Sequence, residues 1–311
     1  MEVVFLRFYH IKSKYDASDL PKDERCFIIC DRENFTHVYE QFNLINREEM
    51  NKTIDLVHFE SHFDYDVISF SFFEWVHDEL IFEKVYLYFS NSYLIFVCDQ
   101  NESLYQKIAA DTRLNQDRQP NGIDTLTFIY YKTLDYILSE MFVSLEGFEN
   151  SLAKEEMILL ESDGYYDFEK IITMKNISFE AKRQLRMLTY ISEQINSNDN
   201  DLISDENLKY FKNISAKTYR LYEFGTSLND KTVHLMDLYT TNMSEKSNNF
   251  LNKLTVFSAF ATPITVLSGI YGMNFVNIPE LTFKYGYFIL WALFLGISLI
   301  IYLLLKKSKM L

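Results

Sequence analysis

Two long uncharged stretches stand near the C-terminal end of this 311-residue chain, and they limit its architecture more than any other feature. From Leu254 to Pro279, and again from Tyr285 to Leu305, there is no Asp, Glu, Lys or Arg. A helix rises about 1.5 Å per residue, so a hydrocarbon layer of about 30 Å needs about 20 mainly apolar residues. The second stretch reaches about 31 Å, and the helical part of the first, Leu254 to Tyr271, holds about 18 residues. A buried hairpin in a soluble core would also use apolar helices. Two such runs in succession, the second closed by Lys306, Lys307 and Lys309, fit a pair of membrane spans better. Lys246 and Lys253 precede the first span, whereas the loop 272–284 carries Lys284 alone. The positive-inside rule then expects a multi-pass protein of the cell inner (plasma) membrane, with both termini cytoplasmic and the loop external.

The charge divides along the same line. The whole chain carries 30 Lys+Arg against 44 Asp+Glu, a formal charge of −14. Residues 254–311 hold four lysines against Glu280, which is +3, so residues 1–253 carry −17. An acidic body lacks the basic surface that displaces counterions from phosphate, which argues against a nucleic-acid partner. Cys26, Cys30 and Cys98 are too few and too irregularly spaced for a disulfide scaffold or a zinc ribbon, and they suit a reducing compartment. Charges interrupt the apolar residues of Met1 to Arg7, so we expect no secretory leader.

Local pattern separates the acidic body into parts. Aromatic and β-branched runs at Val3 to Tyr9, Cys26 to Cys30, Val67 to Phe73, Lys84 to Phe89 and Tyr93 to Val97 predict a sheet with intervening helices over 1–120. Proline is absent from 121 to 262, which favours long helices. Over 121–203, Leu126, Ile129, Leu134, Ile137, Leu138, Met141 and Leu145 recur at helical spacing, and a second helix is expected from Phe168 to Ile195. From Leu208 to Ile270 no strong breaker occurs before Pro263, so the spacing predicts one helix about 90 Å long. That makes 204–253 a stalk running into a first span at 254–271, followed by the loop 272–284, a second span at 285–305 and a basic tail at 306–311.

A hairpin of two spans cannot enclose water by itself, so the polarity of one helix face becomes the question. Asn248, Leu251, Leu254, Ser258, Thr262, Thr265 and Gly269 follow each other at steps of three and four and form one stripe, mostly small or polar. Ser244, Thr241 and Asp237 extend it toward the N-terminus. Such a stripe also suits tight helix packing. It ends at Gly272-Met273-Asn274, where a bland reading is a helix end and turn.

The tripeptide Gly272-Met273-Asn274, preceded by Ile270-Tyr271, followed by Pro279-Glu280-Leu281 and placed at the end of the first of two C-terminal spans, resembles the signature of the CorA family of divalent-cation channels. The likeness is strongest over residues 204–311; before that it rests on architecture. It implies a homopentameric funnel: a cytoplasmic α/β domain, a helical bundle, and a stalk helix continuous with the pore-lining span. Gly272, Met273, Asn274 and Glu280 would form the external mouth, with a ring of Asn274 carboxamides. The stripe from Asn248 to Gly269 would line the pore, and Leu251 and Leu254 would constrict it. Asp237 would join a ring of regulatory aspartates, and Lys306, Lys307 and Lys309 a basic collar. The implied function is influx of Mg²⁺, with Co²⁺ and Ni²⁺ as further candidates, closed by intracellular Mg²⁺ bound at acidic subunit interfaces.

The chemistry of the stripe agrees with that implication. Mg²⁺ gives up its water slowly, so neutral oxygens that bond to its hydration shell can recognise it and still let it go. No enzymatic activity and no organic cofactor are expected, since no P-loop, Gly-x-Ser-x-Gly or dinucleotide fingerprint occurs. Departures from the family pattern are Val276 in place of an acid, Asn213 in Tyr210-Phe211-Lys212-Asn213 in place of an aspartate, and Thr262 before Pro263 in place of methionine. A zinc transporter on the same scaffold, including one driven by a proton gradient, and a non-transporting tether for an acidic sensor domain are the alternatives. His58-Phe59-Glu60-Ser61-His62 could pair two metal ligands on a helix, or be a polar segment with two solvated histidines.

Overall fold

The computed structural model describes residues 7–11, 20, 25–42, 44, 58–98, 104, 107–108, 123–161, 167–274 and 283–307. The chain divides into two compact units, Met1–Met236 and Asp237–Leu311.

The first unit is built on a six-stranded sheet. In chain order its strands are β1 (Arg7–Ile11), β2 (Cys26–Cys30), β3 (His58–Ser61), β4 (Tyr65–Val76), β5 (Glu79–Ser90) and β6 (Tyr93–Cys98). Their order across the sheet is β1-β2-β6-β5-β4-β3. Strands β1, β2 and β6 are parallel, and the pairs from β6 out to β3 are antiparallel. Every residue of β2 and β6 is buried, as expected of central strands covered on both faces. On one face Cys26, Ile28, Tyr88 and Ile95 pack with Phe35 and Val38 of helix α1 (Arg32–Gln41). Asp31 caps that helix by accepting from the Asn34 amide at 2.7 Å. On the other face Phe89 stacks on Tyr130 of helix α2 (Thr125–Glu161), with ring centroids 4.3 Å apart.

The sheet extends beyond the expected strands. β4 and β5 pair over twelve residues each, from Tyr65 opposite Ser90 to Val76 opposite Glu79. They join through His77 and Asp78, both at positive φ, the backbone that suits a two-residue hairpin turn. Glu74, Glu79, Glu83 and Lys84 interrupt the apolar pattern at that end and conceal it in the sequence. β3 was not expected as a strand, because His58-Phe59-Glu60-Ser61 has one large apolar residue. Its extended backbone also replaces the helix on which two histidine ligands were considered.

Three helices finish this unit in heptad register. Helix α3 (Phe168–Ser197) starts at the Asp167 cap and ends at Asn198, which is left-handed at φ 50°. Helix α4 runs unbroken from Leu208 to Tyr271, 64 residues. Against α2 it places Lys217 Nζ 2.6 Å from Asp135 Oδ1, Phe224 against Phe142 at 5.2 Å, and Lys231 on Glu149. These contacts repeat every seven residues on both helices, the spacing of a coiled-coil seam. Against α3 it pairs Thr232 with Ser178 at 2.9 Å and Thr218 with Ser192 at 3.0 Å. Midway between them lies Gly225, where a Cβ would come within 2.7 Å of Leu185 Cδ1.

The second unit contains α4 from Asp237 onward and helix α5 (Gly286–Lys307). Pro263 lies inside α4 and supplies no amide, so the Ala259 carbonyl loses its intrahelical donor.

The notch at Gly225 is open to test. Gly225→Leu is expected to destabilise the protein by about 1–3 kcal/mol through overpacking, and Leu185→Ala in that background should recover part of the loss. Thermal unfolding of the detergent-solubilised chain reads both; equal stability of Gly225→Leu and the wild type would remove the notch from the packing account.

Candidate functional site

α4 and α5 each contain an 18-residue window long and apolar enough to cross a membrane. α4 presents the stripe. Asp237, Thr241, Ser244, Asn248, Leu251, Leu254, Ser258, Thr262, Thr265 and Gly269 all lie on this helix and all are exposed in the single chain. Leu251 and Leu254 are 52% and 50% exposed, so no described side chain of the chain covers them fully.

Cover within the second unit falls elsewhere. On α4 the half-buried positions include Val256, Phe260, Pro263 and Leu267, about half a turn of the helix from the stripe. On α5 they are Gly286, Leu290, Phe294, Ile297, Ser298, Ile301 and Leu305, again at helical spacing. The face of α4 that its own chain covers is therefore the one opposite the stripe. This distribution of cover was not legible in the sequence, which shows the stripe but not which face of either span the rest of the chain covers.

Two stripe hydroxyls have their protons committed. Thr265 Oγ1 donates to the Ala261 carbonyl and Ser244 Oγ to the Thr240 carbonyl, each at 2.8 Å. A hydroxyl has one proton and two lone pairs, so what these side chains offer outward is acceptor capacity. A hydrated cation presents water protons, and such acceptors match them. From Leu254 to Asn274 the helix and its end carry no ionisable acid or base other than Tyr271.

α4 ends at Tyr271 with the Gly272 amide donating to the Ser268 carbonyl at 2.9 Å. A Cβ on Gly272 would stand 3.1 Å from that carbonyl oxygen, which gives glycine a steric reason at this position. Met273 and Asn274 follow and are exposed. Glu280, expected near the mouth, and Lys309, expected in the basic tail, lie outside the described residues, as does Val276. Lys306 and Lys307 end α5 and are exposed, with Lys306 Nζ 6.0 Å above the Tyr302 ring. Toward the opposite end of α5, Tyr287, Trp291 and Phe294 form an exposed-to-half-buried aromatic ladder with successive centroids 6.5 and 5.9 Å apart. Aromatic rings and lysines at the two ends of a span suit the two water interfaces of a bilayer.

Among the described residues, no three His, Cys, Asp or Glu side chains converge to hold a metal ion. His58 and His62 instead flank Glu60, their Nε2 atoms 3.7 and 3.5 Å from its Oε2. Cys26, Cys30 and Cys98 are buried and form no disulfide, and the Cys98 thiol donates to Glu83 Oε1 at 2.9 Å. Asn213 is exposed on α4.

Comparison with known proteins gives this arrangement a family. The chain is 26% identical over 182 residues to the cobalt/magnesium transport protein CorA of Thermotoga maritima, covering 58% of this chain and 52% of that protein. The chain thus spans about half the length of that relative. It is 23% identical over 240 residues to the zinc transport protein ZntB of Photorhabdus laumondii, covering 75% of this chain and 68% of that protein. The complete structure of the CorA magnesium transporter from Methanocaldococcus jannaschii superposes with a TM-score of 0.77 at 18% identity, over 93% of this chain and 92% of that one, a likeness of fold. A family model described as CorA-like Mg2+ transporter protein matches residues 27–307. Since that match runs from the second strand to the last turn of α5, the chain belongs to the CorA-like Mg2+ transporter family.

Proposed function

We propose that the chain forms a homopentameric channel of the cell inner membrane, with both termini cytoplasmic, that admits hydrated divalent cations, Mg²⁺ first and Co²⁺ and Ni²⁺ as further substrates. The observation that carries this reading is the stripe: an exposed row on α4, opposite the face its own chain covers, with the Thr265 and Ser244 hydroxyls set as acceptors. A mere anchor has no use for such a row in its span. Copies of α4 around an axis would line a path with neutral oxygens, which bind the water shell of Mg²⁺ without stripping it. Asn274 carboxamides, held just past the helix end by Gly272 and Met273 and joined by Glu280, would meet the ion first. Leu251 and Leu254 would close a constriction by excluding water. The sheet and bundle would form the cytoplasmic body over 1–203, the stalk 204–253, the spans 254–271 and 285–305, the external loop 272–284 and the basic tail, Lys306, Lys307 and Lys309, a collar. An inside-negative potential contributes roughly 4.6 kcal/mol per 100 mV to the inward step of a divalent ion.

The −17 on residues 1–253 supports the closure by intracellular Mg²⁺ that the family resemblance implies. Repeated in every subunit, that charge repels, and a divalent ion between subunits screens it. Because carboxylates do not converge within one chain among the described residues, each such site would be shared between copies, with Asp237 as a contributor.

Flux into proteoliposomes tests the reading. Mg²⁺ uptake driven by an inside-negative potential is expected, and Asn274→Ala should reduce it at least about tenfold, the effect of about 1.4 kcal/mol at the mouth. Uptake of Zn²⁺ without Mg²⁺ would favour the function named in the ZntB relative, and uptake of neither would favour a tether. Thr265→Val keeps the shape and deletes the acceptor; a several-fold slower Mg²⁺ flux is expected, and wild-type flux would detach the stripe from the ion path. Asp237→Ala should shift closure to higher internal Mg²⁺, read as the inhibition curve in the same vesicles, while an unshifted curve would exclude Asp237 from gating.

A further inference from the structure

Asp66 is an unusual residue for the position it occupies. It is the second residue of β4, 4% exposed, and pairs in register with Phe89. Phe89 stacks on Tyr130 of α2, and Tyr130 packs against Phe211 in the first turn of α4 with ring centroids 5.2 Å apart. Tyr130 is fully buried, and its hydroxyl has no hydrogen-bond partner. Leaving a buried donor unpaired costs on the order of 1–3 kcal/mol, so a native structure that keeps one invites a reason.

The donors that Asp66 does have come from outside this aromatic stack. Asn200, in the turn between α3 and α4, donates from Nδ2 to Asp66 Oδ1 at 2.7 Å and to the His62 carbonyl at 3.1 Å. The Ser61 hydroxyl also bonds to the carboxyl. Asn200 Oδ1 is buried and has no donor. The same turn is stiffened by Asn198, whose side chain accepts from the Ile203 amide at 2.9 Å and donates to the Ile203 carbonyl at 2.6 Å. Asn200 therefore links the β3–β4 hairpin to the segment that leads into α4.

Two unpaired groups of opposite kind in this neighbourhood are complementary to the two states of one carboxyl group. A neutral Asp66 has a proton that the Asn200 oxygen can take. An ionised Asp66 has a further lone pair that the Tyr130 hydroxyl can fill. We propose that Asp66, Asn200 and Tyr130 form a proton-operated latch: the neutral acid holds the α3–α4 turn on the sheet, and ionisation draws Tyr130 from its packing between Phe89 and Phe211 and loosens the first turns of α4.

The charged surroundings set its direction. Burial raises the proton affinity of the Asp66 carboxyl and outweighs the Ser61 and Asn200 hydrogen bonds; His62, from the β3–β4 turn, favours the ionised form, and Asp199, from the turn after α3, opposes it. From α2 the facing titratable group is Tyr130, whose hydroxyl burial holds in its neutral form. Since the folded state binds this proton more tightly than the unfolded chain, the stabilisation is complete below the ordinary carboxylate range and is lost as pH rises through the raised value. The latch does not depend on what α4 carries. Its consequence for transport rests on the function proposed above, and would make cytosolic acidity an input to the helix bearing the ion path.

Hydrogen exchange on the full chain in detergent, corrected for intrinsic rates, follows residues 208–221 from about pH 4 to pH 8 without reference to flux. The wild type is expected to lose protection in this segment as pH rises. Asp66→Asn, which keeps a neutral carboxamide in place of the acid, should lose the slope. Tyr130→Phe should flatten it, because no hydroxyl is then drawn from the packing between Phe89 and Phe211 when the acid ionises. An equal slope in Asp66→Asn and the wild type overturns the proposal, as does a slope that vanishes only in His62→Gln, which would assign the titration to the histidine. If Asp66→Asn does not fold, an unchanged slope in Tyr130→Phe overturns the latch as drawn. Mg²⁺ flux in the same proteins is a separate reading: absence of flux bears on the proposed function and leaves the exchange result standing.

Discussion

Everything in this chain depends on α4 remaining one helix. Within hydrocarbon every backbone N–H and C=O has to find its partner inside the segment, because water is absent and an unpaired group costs several kcal/mol. Helical hydrogen bonds meet that demand over Leu254 to Tyr271 at the price of a single interruption, the missing amide of Pro263. The same helix has to be held where it runs beside water. There the apolar surface of Phe211, Ile214, Leu221, Leu228 and Leu235 is buried, and the heptad contacts with α2 and α3 set its register.

Those two seams differ in kind. Toward α2 the contacts are long and charged or aromatic, with Lys217 on Asp135, Phe224 on Phe142 and Lys231 on Glu149. Toward α3 they are short, with Ser178 on Thr232, Ser192 on Thr218 and Leu185 against Gly225. Small residues let the antiparallel pair approach closely, while the longer ties specify which turn of α2 meets which turn of α4. Each hydroxyl in the α3 seam also lies within hydrogen-bond distance of a carbonyl three residues earlier in its own helix, so none depends on the seam alone for an acceptor. Fold and proposed function thus share a device. Hydroxyls bonded to their own helix stabilise packing in the first unit and turn acceptors outward in the second.

Much of this was legible in the residues. The helix bounds were visible because apolar residues keep helical spacing from Leu126 onward and no proline occurs until Pro263. The stripe and the Gly272-Met273-Asn274 end could be read because both are local in sequence. The antiparallel edge was less legible. β3 has little apolar content, and the ends of β4 and β5 mix Glu74, Glu79 and Glu83 with large apolar residues, so alternation fails where hydrogen bonding continues. Asp66 looked like one of 44 acids and gave no sign that the fold would enclose it.

The sequence by itself determined which segments are helices, which are apolar enough for lipid, and which side chains share a face, since each follows from the period of a single element. Tertiary structure alone decided which face of α4 its own chain covers, which turn of α2 or α3 meets Lys217, Gly225 and Lys231, and that Asp66 is enclosed opposite Phe89, which stacks on Tyr130. Those relations join residues tens of positions apart. No local period encodes them, because they arise only when burial and the pairing of polar groups are satisfied together.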